Sequence, residues 1–296
     1  MRTARWRGLA MALPPMLVIA AFVGFPVVTA ILYTFGHTGG TNSIIAAIGQ
    51  NQHLSKGGWG TTGAYREVLT SHQVLRDLWV TVLVTLITVA AVLVISGGIA
   101  LYLRLSPSRL SKAVAALSVV PMFIPVVIGS YAIRSFYATD GFFRTVAHHL
   151  GWGGAPTLSY TMGAITIGEI WTSIPFGVLL LASGFNGVPD NLIEAARDAG
   201  ASLPRAIVSV LLPMSVIPIV IVTTFTSISV MGSFTVPYMT GPSSPNMLGV
   251  TMTNYFQSFN QPQQAEVMAV IVFVVAAAIG TFYVRANIRA SKGAAS

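Results

Sequence analysis

Six long, mainly apolar stretches constrain this chain more than any motif does: Leu9–Phe35, Leu78–Leu103, Ala113–Phe136, Tyr160–Ala182, Ile207–Met231 and Ala265–Val284. A hydrocarbon core of about 30 Å is crossed by about 20 apolar residues in a helix. Lipid offers no partner to a backbone N–H or C=O, so each stretch is expected to close its own hydrogen bonds as a helix. The expected fold is therefore all-α: a polytopic membrane bundle of six transmembrane helices. The charge content agrees, because only 8% of residues are charged, against roughly 25% in an ordinary soluble domain. The first stretch follows Arg2, Arg5 and Arg7 as a signal peptide would, but its apolar run exceeds an h-region of about 7–15 residues. It is read as a retained span.

The distribution of basic residues orients such a bundle. With six spans, one face carries Arg2, Arg5, Arg7, Arg104, Arg109, Lys112, Arg197, Arg205, Arg285, Arg289 and Lys292. The other carries Lys56, Arg66, Arg76, Arg134 and Arg144. Eleven against five assigns the first face, with both termini, to the cytoplasm. The net charge of +8 is dispersed between apolar runs, not gathered into the aromatic-studded stripe of a nucleic-acid binder, so no nucleic-acid partner is expected. The absence of cysteine excludes thiolate metal sites and a cysteine nucleophile. The chain divides into residues 1–77 (tail, first span and outer loop), a core over 78–284 with a cytoplasmic loop at 183–206, and a tail over 285–296. Within the outer loop, Ala64–Leu75 is a candidate interfacial helix.

The loop after the fourth span carries the most local information. Pro189-Asp190-Asn191 marks a helix start, with Asp190 or Asn191 expected to cap free amides. Leu192 to Ala199 are good helix formers. Gly200 is expected to end the helix as a left-handed residue. Ser202 is a candidate cap for a second short helix, with Pro204 in its first turn. Helices this short depend on packing. Leu192, Ile193, Ala196 and Ala199 form an apolar stripe suited to a partner's groove, and the alternative is a loop lying on its own bundle.

Glu194-Ala195-Ala196, Gly200 and Val210-Leu211-Leu212-Pro213 stand at the spacing of a longer signature: Glu-Ala-Ala, three residues, Gly, nine residues, then Ile-x-Leu-Pro. Val210 in place of Ile is the one departure. In this the chain resembles the permease subunits of binding-protein-dependent ABC importers, from about the second span to the end. The resemblance implies a type I importer fold and a bacterial inner-membrane location. It also implies a second permease (a heterodimer favoured over a homodimer), two ATPase subunits and an extracytoplasmic solute-binding protein. The loop would dock on an ATPase as a coupling helix, with Glu194, Ala195, Ala196, Arg197, Asp198, Gly200, Ala201, Pro204 and Pro213 as the ATPase-coupling residues. ATP-driven closure of the ATPases would then rock the bundles between inward- and outward-open states. The chain has no Gly-x-x-x-x-Gly-Lys-Ser/Thr loop, so no cofactor is expected on it. ATP and Mg belong to the partner ATPase, and the chain is not expected to be an enzyme.

Inside the spans, Glu169 stands out, since a charge at mid-membrane costs on the order of 2.5–3.5 kcal/mol and usually faces a cavity or the bundle interior. Glu169, Trp171, Thr224 and Ser227 are the candidate translocation-path residues. The alternatives are a structural carboxyl for Glu169, packing for Trp171 beside Pro175-Phe176, and helix-to-helix bonding for the hydroxyls. Asp77, Arg134 and Asp140 are read as boundary charges. His148 and His149, adjacent and facing apart on a helix, are not expected to bind metal.

The solute class rests on resemblance. Asp198–Ser202, Phe234–Pro242 and Met247-Leu248-Gly249 resemble polyamine-type permeases, whereas Trp171 before Pro175-Phe176 resembles sugar-importer permeases. A polyamine-like or other small organic solute is favoured, with a sugar or glycerol-phosphate as the alternative. An intramembrane enzyme would need a nucleophile–base pair or metal ligands within the spans, and none is visible. An ion-coupled secondary transporter would show internal repeats or several embedded charges, and Glu169 stands nearly alone.

Overall fold

The computed structural model describes residues 2–39, 42–55 and 57–293, and the described residues form helices and connections without strands. Four helices are long and apolar enough to cross a bilayer singly. In α1, Arg2–Ile19, a π-helical turn at Ala20–Gly24 and Phe25–Thr34 run on continuously. Two short helices follow, α2 (Asn42–Ile48) and α3 (Gly63–Thr70), and then the 34-residue α4 (His72–Leu105). The third long helix is α8 (Met162–Asn186) and the fourth is α14 (Pro262–Gly293).

Two of the six expected spans are bent pairs of helices rather than single helices. In the third apolar stretch, α5 (Arg109–Val119, extended by a 3-10 turn at Val120–Phe123) and α6 (Val126–Phe136) meet at 108°. Pro125 has no N–H to donate and disfavours the helical conformation in Ile124 before it, which is extended at ψ 124°. In the fifth, α10 (Leu203–Met214) and α11 (Val216–Met231) meet at 70° across Ser215, where Pro213 and Pro218 interrupt the helical ladder. The bundle thus has six spans if each bent pair counts as one. Between these lie α7 (Phe142–His149) and α9 (Asp190–Asp198), and after them α12 (Thr235–Thr240) and α13 (Leu248–Thr253).

The chain separates into two compact units. One comprises residues 1–75 and 251–273, and its Asn- and Gln-rich connection is tightly knotted. The side chains of Gln263 and Gln264 are fully buried. Gln263 donates to the carbonyls of Tyr33 (2.9 Å) and His53 (3.1 Å) and accepts from the His53 N–H at 2.7 Å. Gln264 donates to the Asn51 carbonyl and to Glu67, which also meets His53 at 2.8 Å. The buried Gln263 amide is thus satisfied at both its nitrogen and its oxygen, whereas Gln264 is satisfied at its nitrogen alone among the described residues.

The second unit, residues 76–250 and 274–296, is built around α8. Half of the apolar window of α8 is buried, so α8 is the centre of this unit. Close approach to α8 depends on missing side chains. A Cβ on Gly177 would lie 2.5 Å from Ser96 Oγ of α4, and one on Gly184 would lie 2.4 Å from the Pro218 ring of α11. Asp77, expected as a boundary charge, is instead 2% exposed. Its carboxylate accepts the Asn246 N–H at 3.1 Å, and Thr81 one turn later accepts the Leu248 N–H at 2.8 Å. The start of α4 thereby satisfies an irregular segment that has no helical partners of its own.

Candidate coupling and translocation sites

The helix α9 and its exit form as the local sequence requires, with differences at both caps. At the exit, Gly200 adopts φ +87°. Its N–H reaches the Arg197 carbonyl at 2.9 Å, and the Ala201 N–H reaches the Ala196 carbonyl at 3.0 Å. These two bonds make a complete Schellman cap, a geometry that favours glycine. At the entry, Pro189 occupies the capping position with extended backbone and no side-chain cap bond. The expected capping by Asp190 or Asn191 therefore does not occur. Asp190 lies inside the first turn and pairs with Arg104 of α4. Ser202 does occupy the N-cap of the next helix, but its hydroxyl makes no cap bond.

The apolar stripe of α9 is shared rather than free. Ile193 packs on the core formed by Ala100, Leu181, Phe185 and Leu211, and Ala196 is half-buried. Exposed are Glu194, Ala195, Arg197, Asp198, Ala199, Gly200, Pro204 and Pro213, while Ala201 is half-buried. A Cβ on Gly200 would meet nothing within 4 Å. Within the signature, Leu211 is fully buried and holds the loop to the bundle, while the charged residues are left outward.

Arg104 was legible only as a topology charge. Its guanidinium donates from Nε to the Phe185 carbonyl (3.2 Å) and from Nη2 to the Val188 carbonyl (3.0 Å), and it also pairs with Asp190. A cation at the C-terminal end of α8 satisfies carbonyls that the helix cannot and complements its dipole.

Glu169 is 3% exposed. Ser233 lies near its carboxyl, and its Oε1 has no partner among the described residues. Helical spacing places two further buried hydroxyls at its level. On α4, Thr88 lies one turn from Val84 and one from Val92. On α11, Thr226 lies one turn from Val230 and one from Val222, and Glu169 follows Ile165 by one turn. Val84, Ile165 and Val230 share one apolar cluster, and Val92 and Val222 share another. Thr88, Glu169 and Thr226 thus form a polar layer between two apolar ones, each with a buried oxygen that has no partner among the described residues.

The other path candidates are differently placed. Thr224 and Ser227 are buried on α11, and the Ser227 hydroxyl is satisfied by the Thr223 carbonyl of its own helix at 2.7 Å. Trp171 is half-buried at the crossing of α8 with α6, where a Cβ on Gly129 would lie 2.3 Å from its ring. Sequence reasoning missed Thr88, and took Thr226 only as one of several hydroxyls along the fifth span (with Thr223, Thr224, Ser227 and Ser229) without relating it to Glu169. Their signal was a threonine interrupting an i, i+4 series of valines. The guanidinium of Arg134 lies over the rings of Tyr131 (4.9 Å) and Tyr160 (5.7 Å). A cavity of about 270 Å³ lies beside α7, lined by Asp140, Arg144, His148 and Trp152 among others.

Residues 93–289 match the family described as binding-protein-dependent transport system inner membrane component. The chain belongs to this family. It is therefore a multi-pass permease component of a binding-protein-dependent ABC importer, the transmembrane part of such a system and not its catalytic part. Among similar relatives is the sulfoquinovosyl glycerol transport system permease protein SmoG of Agrobacterium fabrum, 28% identical over 222 residues, covering 70% of each chain. The trehalose transport system permease protein SugA of Mycobacterium tuberculosis is 28% identical over 75% of this chain and 73% of its own. The spermidine/putrescine permease protein PotB of Escherichia coli is 27% identical over 55% of this chain and 60% of its own. The fold is that of a permease chain in a bacterial ABC transporter for alginate, with a TM-score of 0.73 at 15% identity over 97% of this chain and 96% of that one. The permease of the MetNI methionine transporter gives 0.54 at 20% identity, over 74% and 95%.

Proposed function

We propose that this permease forms one half of the translocation path of an ATP-driven importer for a small polar solute, and that α9 with its Schellman turn is its coupling helix. The observation that carries the reading is the shape of α9. Its inner side, at Ile193 and Ala196, is seated on the bundle, while Glu194, Arg197, Asp198 and Gly200 face outward with open space over the glycine. A rigid element anchored on one side and polar on the other is suited to receive a displacement from a separate subunit and pass it inward. The basic-residue asymmetry supports a cytoplasmic position for this loop and for both termini. ATP and Mg belong in this reading to two separate ATPase subunits, and this chain holds no cofactor. A second, different permease completes the path, and an external binding protein delivers the solute.

Two solute classes each have an observation in their favour. The buried Glu169 carboxyl, together with the polyamine-type segments at Asp198–Ser202 and Phe234–Pro242, supports a cationic polyamine-like solute. The carbohydrate reading is supported by SmoG and SugA, whose likeness extends over more of the chain than that of PotB. The test is reconstitution of the complex in vesicles. Co-purification of an ATPase and vanadate-sensitive uptake are expected, with labelled putrescine and labelled trehalose as competing solutes. Gly200→Asp, which adds a charge where this chain has nothing for it to strike, is expected to abolish uptake with insertion intact. Unimpaired uptake in that variant would overturn the coupling role.

A further inference from the structure

We infer that Arg104 is the positioning residue that ties the coupling helix to α4, so that movement of α9 is delivered to α4 as well as to the helices that the chain joins to it. The inference rests on α9 being the coupling helix and adds the route by which its displacement enters the bundle. The chain itself joins α9 to α8, through the three residues Gly187, Val188 and Pro189, and to α10, through residues 199–202. The first connection is short, Val188 is 4% exposed, and Pro189 holds φ at −60°. The connection to α8 should therefore transmit movement stiffly, but neither connection is continuous with α4, which meets the first one only by apolar packing at Val188 and through the Arg104 side chain.

Arg104, in the last turn of α4, closes the gap. Its planar fork reaches three acceptors from three places: the end of α8 at Phe185, the connection at Val188, and the first turn of α9 at Asp190. The arginine side chain is 15% exposed and the Asp190 side chain 72%, so the anchored end of the pair lies on the bundle and the movable end on α9. Behind it, Ala100 of α4 packs in one core with Phe185, Val188 and Leu211. Arginine suits this junction where lysine does not, because its fixed fork can serve several oxygens in one plane while an ammonium acts as a point charge. Most surface ion pairs contribute little. The two backbone acceptors and the partial burial set this one apart.

The test uses the assembled importer in vesicles and reads the number of ATP molecules hydrolysed per solute taken up, a ratio that a purely structural role would leave unchanged in the complexes that assemble. Arg104→Ala is expected to raise the ratio at least about tenfold, the equivalent of about 1.4 kcal/mol of lost coupling. Arg104→Lys is expected to fall between. Should Arg104→Ala fail to assemble because two carbonyls lose their donor, Asp190→Asn carries the test. It leaves those carbonyls bonded and is expected to raise the ratio severalfold. The chain has no cysteine of its own, so cysteines at 104 and 190 joined by a cleavable bifunctional thiol reagent should restore the ratio, and cleavage should lose it again. An unchanged ratio in Arg104→Ala, or in Asp190→Asn where only that variant assembles, overturns the inference. If Gly200→Asp abolishes uptake in the same vesicles, the latch alone has failed. If Gly200→Asp is also without effect, the coupling role of α9 has failed with it.

Discussion

The turn at Gly200 allows the coupling reading to be tested by backbone energetics alone. The residue sits at φ +87°, and a Cβ placed there meets no atom of this chain within 4 Å. Substitution by alanine therefore adds no clash, and its cost is the left-handed conformation itself, about 1–2 kcal/mol. Opposing that cost are the two cap bonds, Gly200 N–H to Arg197 and Ala201 N–H to Ala196, each worth about 0.5–1.5 kcal/mol net. The two quantities are of equal size, so Gly200→Ala brings the cap close to balance between formed and frayed. A shift of this size changes the ratio of the two states by about 5–30-fold. Uptake in vesicles is expected to fall severalfold and by no more than that factor. Gly200→Asn is expected to retain more activity than alanine, because asparagine visits the left-handed region more readily, and Gly200→Val less. Binding-protein-stimulated uptake across the series, normalised to assembled complex, gives the order. If asparagine proves as damaging as valine, side-chain size against a docked partner is the cause, and the reasoning from backbone conformation is refuted.

Two further outcomes follow from the packing. Gly184→Ala forces a Cβ to within 2.4 Å of the Pro218 Cγ and 2.7 Å of its Cβ. It should destabilise the α8–α11 crossing by about 1–3 kcal/mol, read as a lower thermal midpoint of the purified complex, with Pro218→Ala recovering part of the loss because only its Cβ remains in the way. Glu169→Gln keeps the size and polarity of the side chain and removes its ionisable group from the polar layer. Assembly should be unchanged and uptake should fall about tenfold, a change of about 1.4 kcal/mol, if the carboxylate meets the solute. Uptake equal to that of the unaltered complex would leave Glu169 a structural role only.

Much of the local structure was legible because it depends on near neighbours. Gly200 must bend the chain wherever the loop lies, and Leu192 to Ala199 must be helical to bury Ile193. What eluded sequence reasoning depends on distant groups. Asp190 looked like a cap because carboxylates at helix starts usually cap, but an arginine 86 positions earlier in the chain is its partner. Asp77 looked like a boundary charge because it stands at the edge of an apolar run. Its burial follows from the backbone of Asn246, 169 positions away.

By itself, the sequence determined that the chain lives in a bilayer as helices, because hydrophobic length and backbone hydrogen bonding are properties of single segments. It also determined the turn in the loop, where one glycine sets the conformation. Only the tertiary structure decided that two of the apolar stretches bend, by 108° and 70°, that α8 is central, and that Thr88, Glu169 and Thr226 share one level. The physical reason is that periodicity tells a helix which of its faces are alike, while the neighbour that each face meets is set by the packing of the whole bundle.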